Sequence, residues 1–188
     1  MSEYEFETDL STLEIEGNTL VKYHGDKRAV AVPEGIEVIG ASAFEEHGAI
    51  REVTLPSSLK EIGNYAFYNT YLERADLPEG LVRIGEYAFC CIEAAPTVLP
   101  SSLREIGRNA FECCDNLEEL VIPEGVETIG VSAFFECGGL RKVTLPASVR
   151  EIGQLAFARE DGGDIEFIVP AGSYAEKWLA DKDKDTFK

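Results

Sequence analysis

A chain of 188 residues with 45% apolar and 10% aromatic residues can bury one core, so a folded single domain is expected and native disorder is excluded. Its 35 acidic and 17 basic residues leave a formal charge of −18, which repels phosphate backbones and anionic bilayers and excludes nucleic acid as a partner. No apolar run reaches the roughly 18 residues of a membrane span, so membrane insertion is not expected, and MSEYEFETDL has neither the basic nor the apolar region of a secretory leader. On its face that reads as a cytoplasmic chain, unless a leader has been removed.

The first predicted element is a β-hairpin. Leu13-Glu14-Ile15 and Leu20-Val21-Lys22-Tyr23 flank the turn-rich Glu16-Gly17-Asn18-Thr19, and Ala29 to Val32 then supplies an extended segment. Residues 1–32 therefore read as an N-terminal cap.

From Pro33 onward the chain repeats. Ile39-Gly40, Ile62-Gly63, Ile84-Gly85, Ile106-Gly107, Ile129-Gly130 and Ile152-Gly153 are followed at one offset by Phe44, Phe67, Phe89, Phe111, Phe134 and Phe157. The phenylalanines are spaced 23, 22, 22, 23 and 23 residues apart, and prolines at 33, 56, 78, 100, 123, 146 and 170 keep the same beat. Such a period means coils that bury their apolar residues only by stacking on one another, which is a solenoid.

Within one coil, Leu140-x-x-Val143-x-Leu145 alternates apolar and polar residues and reads as a short strand ended by Pro146. Val149-x-x-Ile152-Gly153 then turns the chain, and Ala156-Phe157 fits a short helical turn on the opposite side. One strand per coil gives a parallel sheet with a rise of about 4.8 Å per coil.

The motif Pro-x-x-Val/Leu-x-x-Ile-Gly-x-x-Ala-Phe-x-x-Cys-x-x-Leu-x-x-Val-x-Leu, met nearly in full by Pro123 to Leu145, resembles the BspA-like leucine-rich repeats of bacterial proteins. The resemblance covers six coils over residues 33–170. It implies an α/β solenoid, a right-handed leucine-rich-repeat superhelix with the parallel sheet on its concave face and short helical turns opposite. It also implies a non-enzymatic module of cell-surface or secreted proteins, concerned with adhesion and with binding protein or peptide.

The chain closes with a last strand at Ile165 to Val169 and a capping box, Ser173-x-x-Glu176, opening a short helix. Tyr174, Trp178 and Leu179 share one face of that helix and are expected to cover the last coil. Residues 171–188 form the C-terminal cap and tail, with Asp181 to Asp185 expected as a solvated end. Caps at both ends favour a monomer.

Chemistry-bearing residues are sparse. Five cysteines cannot all pair within the chain, which leans towards a reducing compartment. Cys114 and Cys137 follow their phenylalanines by three positions, and Cys91 and Cys113 by two, so each pair shares a register on adjacent coils. Equivalent Cα atoms about 5 Å apart suit a disulfide, although core packing of small thiols is the favoured reading and the spacing is not that of a zinc site. His24 and His47 stand in no nucleophile motif, so no catalytic residue is assigned. Asp161-Gly162-Gly163-Asp164 lacks the ligand ladder of a calcium loop and reads as a turn, and no metal or cofactor is implied.

What remains for function is the outward face of the strand. One column runs Glu52, Arg74, Pro96, Glu119, Lys142, and its neighbour runs Thr54, Asp76, Val98, Val121, Thr144. Val98 and Val121 amid mixed charge fit the apolar centre and polar rim of a binding patch. They fit equally well as ordinary β-branched residues of a sheet. The fourth strand, Ala94 to Leu99, departs from the pattern, because Ala94 replaces a leucine and Pro96 removes a ladder donor. A glycan-binding or carbohydrate-active solenoid is the alternative, with Glu52 and Asp76 as scattered acids that lack a defined pairing. Structural self-association through sheet edges is the other.

Overall fold

The computed structural model describes residues 4, 6–7 and 9–181; the acidic and basic tail from Lys182 to Asp185 lies outside them. The strands run β1 (Phe6–Glu7), β2 (Leu13–Glu16), β3 (Thr19–Tyr23), β4 (Ala29–Ala31), β5 (Val38–Ile39), β6 (Glu52–Thr54) and β7 (Glu61–Ile62). They continue as β8 (Arg83–Ile84), β9 (Glu105–Ile106), β10 (Glu119–Val121), β11 (Thr128–Ile129), β12 (Lys142–Thr144), β13 (Glu151–Ile152) and β14 (Glu166–Ile168). A single α-helix among the described residues, α1 (Tyr174–Asp181), is the last of their elements.

The core is a file of aromatic rings. Phe44, Phe67, Phe89, Phe111, Phe134 and Phe157 stack in sequence at centroid distances of 5.0, 5.2, 5.4, 5.2 and 5.3 Å. All are buried, as are the leucine and isoleucine columns beside them. A coil too thin to enclose a phenylalanine by itself thus encloses it between two copies of itself. Tyr23 closes the file at the N-terminal end, 5.6 Å from Phe44. Burial pushes the Tyr23 phenol up to about 12.

Coils outside the middle of the stack carry two strands, one more than their alternation announces. The Leu-x-x-Val-x-Leu segments form the first sheet, while the residues before each Ile-Gly form a second. That second sheet is the larger, with eight strands in the order β13-β11-β9-β8-β7-β5-β3-β2, parallel except for the β2–β3 hairpin. The segment expected only to turn the chain is therefore a ladder strand, two residues long and too short to show a period of two.

The glycine of Ile-Gly is explained by this second sheet. A Cβ on Gly130 would lie 2.5 Å from the Arg108 backbone nitrogen, and one on Gly153 would lie 2.3 Å from that of Val131. Coils approach so closely here that only hydrogen fits. The turns that follow hold the opposite side together with i→i+3 bonds such as Glu45 N–H to Ser42 O and His47 N–H to Phe44 O, at 3.3 and 3.1 Å. Eleven non-glycine residues, from Ser42 to Leu155, adopt left-handed φ angles between 51° and 59° there. In all of them but Leu155, on the last coil, the strain is offset by a forward ladder, in which N–H groups such as those of Ser42 and Glu46, with Phe44 between them, donate to carbonyls of the next coil at 2.8 to 2.9 Å.

The prolines hide a doubled period. Pro-Glu-Gly turns at Pro33, Pro78 and Pro123 alternate with Pro-Ser-Ser or Pro-Ala-Ser turns at Pro56, Pro100 and Pro146. Glu34 accepts from the Ser57 N–H and hydroxyl, and Glu79 does the same from Ser101. In return Ser58, Ser102 and Ser148 oxygens accept from the Gly35, Gly80 and Gly125 N–H groups. Coils are stapled in pairs.

Both ends are capped. β1 lies parallel on β4 and covers the first sheet, while the β2–β3 hairpin, with Gly17 left-handed in its turn, extends the second. At the other end Ser173 Oγ accepts from the Glu176 N–H, and the Glu176 carboxylate accepts from the Gly172 N–H at 2.7 Å. Of the three helix residues expected to cover the last coil, Trp178 packs edge-on to Phe157 and Phe167 at 6.0 and 5.8 Å. Leu179 is half-buried and Tyr174 is exposed, because it opens the helix and points clear of the coil; Ala175 is the residue fully buried instead.

Candidate functional site

The first sheet is not continuous. Strands β1, β4 and β6 form one block and β10, β12 and β14 another, with a single bridge from Glu52 to Arg74 reaching into the gap. Residues 94–99 form no strand, as the substitutions at Ala94 and Pro96 lead one to expect. Asn116 mends part of the loss. Its side-chain amide accepts from the Ala95 N–H at 2.9 Å and donates to the Ala95 carbonyl at 3.0 Å, standing in for a backbone partner.

The gap coincides with the two 22-residue spacings. The missing residue falls between the phenylalanine and the strand, where Phe67 to Leu72 and Phe89 to Ala94 are one shorter than Phe111 to Leu117. The shortened loops open a cleft of about 360 Å³ lined by Asn69, Thr70, Tyr71, Cys91, Glu93 and Asp115 among others. Tyr71 is half exposed and carries the Arg51 guanidinium 4.7 Å from its ring.

Of the ten outward strand positions, six are exposed: Thr54, Arg74, Asp76, Val98, Glu119 and Val121. Lys142 and Thr144 are half-buried. Glu52 and Pro96 are buried, so they contribute little accessible surface, and Arg74 lies over Glu52 at 3.9 Å while holding Asp76 at 3.3 Å. The two scattered acids are thus bridged by one guanidinium. Val98 is the most exposed large apolar side chain among the described residues, at 78%, and Val121 on the next coil, at 60%, ranks next with Leu10 of the N-terminal cap. Ile168, in register with Thr144 on β14, extends the column at 44%.

The outer face of the second sheet differs, because its charges answer one another across coils. Arg83 pairs with Glu61 at 2.6 Å and with Glu105 at 3.3 Å. At the middle of that face the charges are locally satisfied.

The remaining candidates are absorbed by structure. His47 bonds the Gly25 carbonyl at 2.9 Å and lies 4.9 Å from the Tyr23 ring, and His24 meets Glu14 at 2.8 Å. Asp161 is engaged by Arg159 and by the Gly163 N–H, and these hydrogen bonds hold its carboxyl below the usual range, so the Asp-Gly-Gly-Asp segment is a closed turn. The five thiols are free. Cys114 and Cys137 are buried and donate to the Phe89 and Phe111 carbonyls at 3.2 and 3.1 Å, and Cys90 is buried as well. Core packing fails as an account of Cys91 and Cys113, which are exposed, because their position is left-handed and turns the side chain out of the coil. Asn116 is the functional-looking residue that the repeat pattern conceals; only the broken strand opposite it signals that an amide is needed.

A family model described as a BspA type leucine rich repeat region matches residues 14–137 in six copies. Among solved structures, a leucine-rich repeat protein from Bacteroides ovatus ATCC 8483 is 31% identical with a TM-score of 0.61; the match covers 79% of this chain but only 41% of that one. The T. pallidum leucine rich repeat protein TpLRR is 25% identical with a TM-score of 0.64, covering 99% and 94% of the two chains. The pneumococcal vaccine antigen PcpA shares the fold at 17% identity and a TM-score of 0.62, over 87% of this chain and 42% of that one. No curated protein matches the sequence.

Proposed function

The chain belongs to the BspA-type leucine-rich repeat family, and from that membership and the geometry of its first sheet we propose that it is a non-enzymatic binding module for an extended protein or peptide segment. The observation that carries the reading is the pair Val98 and Val121, the two large apolar side chains most exposed along the outward column of the first sheet, at the point where that sheet is broken. Apolar residues this exposed on a rigid face desolvate at little ordering cost when a partner covers them.

The surroundings choose the partner's chemistry. Asp76, Glu93, Glu118 and Glu119 are exposed near the valines, and the chain carries −18 overall. The fitting segment is therefore apolar at its centre and flanked by lysine or arginine, so that charge steers the encounter and apolar burial holds the complex. The interrupted strand leaves that segment room to lie across the coils, and the cleft beside Tyr71 offers a place for one larger side chain.

Panning a phage-displayed random peptide library on the folded chain tests this. Selected peptides should be enriched in basic and apolar residues, and the double variant Val98→Asp/Val121→Asp should lose them at least tenfold. Both positions face water, so the variant should keep its stability to within about 1 kcal/mol. A Glu127→Lys variant on the far side should bind as wild type does. Selected peptides that bind the double variant unchanged would overturn the assignment of this face, and selection of neutral glycans but no peptide from parallel arrays would overturn the partner class.

A further inference from the structure

The cleft left by the two short coils holds two sulfurs that packing does not use. Cys91 and Cys113 occupy one left-handed position on adjacent coils, with φ of 57° and 58°. Parallel backbone bonds hold that position in register, since the Cys91 N–H donates to Glu112 O and the Cys113 N–H to Phe135 O, each at 2.9 Å. Coils stacked at ladder spacing place equivalent Cα atoms about 5 Å apart, within the range that a disulfide spans without backbone movement. The two thiols are already within interaction range of each other.

The neighbouring pair shows what distinguishes them. Cys114 and Cys137 are also in register, but they are buried and committed to backbone carbonyls, so no oxidant reaches them. Cys91 and Cys113 open onto a cleft of about 360 Å³.

We propose that Cys91 and Cys113 form a reversible disulfide by exchange with a small, uncharged or cationic disulfide, a covalent staple between the two coils that flank the broken strand. The thiolate of one cysteine attacks the small disulfide, giving a mixed disulfide and one small thiolate. The thiolate of the second cysteine then attacks the protein sulfur of that mixed disulfide and expels the second small thiolate. The two cysteines give up two electrons and two protons, and the small disulfide becomes two thiols. Glu93, Glu112 and Asp115 surround the site and disfavour an anionic oxidant. Burial pushes the Cys113 thiol up to about 12, so exchange accelerates as the solution is made alkaline.

Cys90 is the internal competitor, its sulfur 3.4 Å from that of Cys91. It is buried and adjacent in sequence, so pairing it with Cys91 would force a strained ring through one peptide.

The test is peptide mapping of the chain after incubation in its native state with 2-hydroxyethyl disulfide, which is neutral, followed by unfolding in denaturant and alkylation of the remaining thiols. Three of the five thiols should alkylate, one peptide pair should be joined through Cys91 and Cys113, and the midpoint of thermal unfolding should rise by about 5 °C and return on reduction. Cys91→Asn and Cys113→Asn variants should fold, because Asn69 occupies the same left-handed position one coil earlier, and should form no internal link. Oxidised glutathione should react more slowly at low salt, with the gap closing as salt is raised. A Cys90–Cys91 or Cys113–Cys114 link, a mixed disulfide that never resolves, or five thiols still titrating would overturn the proposal. Equal rates with glutathione at low salt would overturn its electrostatic part.

Discussion

The two sheets of this solenoid are built from the same coils, yet one runs unbroken through eight strands and the other breaks in the middle. In the second sheet every coil contributes the same pair of backbone commitments, an isoleucine buried inward and a glycine without which the next coil cannot approach. Those two positions do not vary because they have no room to. The first sheet faces outward through positions that the core does not fix, six of the ten of them exposed, and it tolerates a proline, a shortened loop and two exposed valines without disturbing the phenylalanine file behind it. A solenoid can therefore change one face coil by coil while a second face keeps the stack in register.

The hardest way to break that contrast is at the glycine column. Gly130→Ala drives a methyl group into the Arg108 and Gly107 backbones at 2.5 and 2.6 Å, which no rotamer relieves. A cost of about 3 kcal/mol is expected, read as a fall in the denaturant midpoint. Gly48→Ala is the control, since a Cβ there meets nothing within 4 Å and its midpoint should hardly move. If the two variants proved equally stable, the second sheet would not be the clamp described.

The break in the first sheet is tested at Asn116. Asn116→Ala strips the Ala95 peptide of both partners and should cost about 2 kcal/mol, the usual penalty for part-buried polar groups left unmade. Hydrogen exchange should show faster protons confined to the coils around residues 92–99, with the second-sheet amides unchanged. Uniform loss of protection would mean that the two faces are not separable.

These contrasts also mark what the sequence discloses. Ile-Gly, Ala-Phe and the prolines recur because every coil needs them, so the solenoid, its six-fold repetition and its caps are legible before any coordinate. The second strand is not, because Glu151-Ile152 is too short to display alternation. Tyr65 and Tyr87 in left-handed conformations are not, because no propensity marks them; only the forward hydrogen bonds of the stack, to Glu86 O and Arg108 O, hold them there. The outward columns were countable, but the burial of Glu52 under Arg74 and of Pro96 depends on side-chain packing between coils, which a one-dimensional register does not contain. The 22-residue spacings were visible as numbers, and their meaning, a cleft, required the third dimension.

The mildest test sits at the turn that joins the two sheets, where the paired-coil staples lie. Hydrogen bonds from the Ser101 N–H and hydroxyl hold the Glu79 carboxyl below its ordinary value of 4.5. A carboxyl depressed on folding stabilises the native state above its unfolded value and loses that contribution as the pH falls through its folded value. Ser101→Ala removes the hydroxyl and leaves the N–H, so Glu79 should titrate closer to 4.5, and the variant should be slightly less stable than wild type at pH 7. The difference should vanish as the solution is acidified below the Glu79 titration. The chain already contains the comparison, since Ala147 offers Glu124 only its N–H at the equivalent turn. Ala147→Ser should then produce a small gain at pH 7 that disappears in acid in the same way. A gain that persists in acid would assign the staple to serine packing, leaving the carboxylate no part in joining the coils.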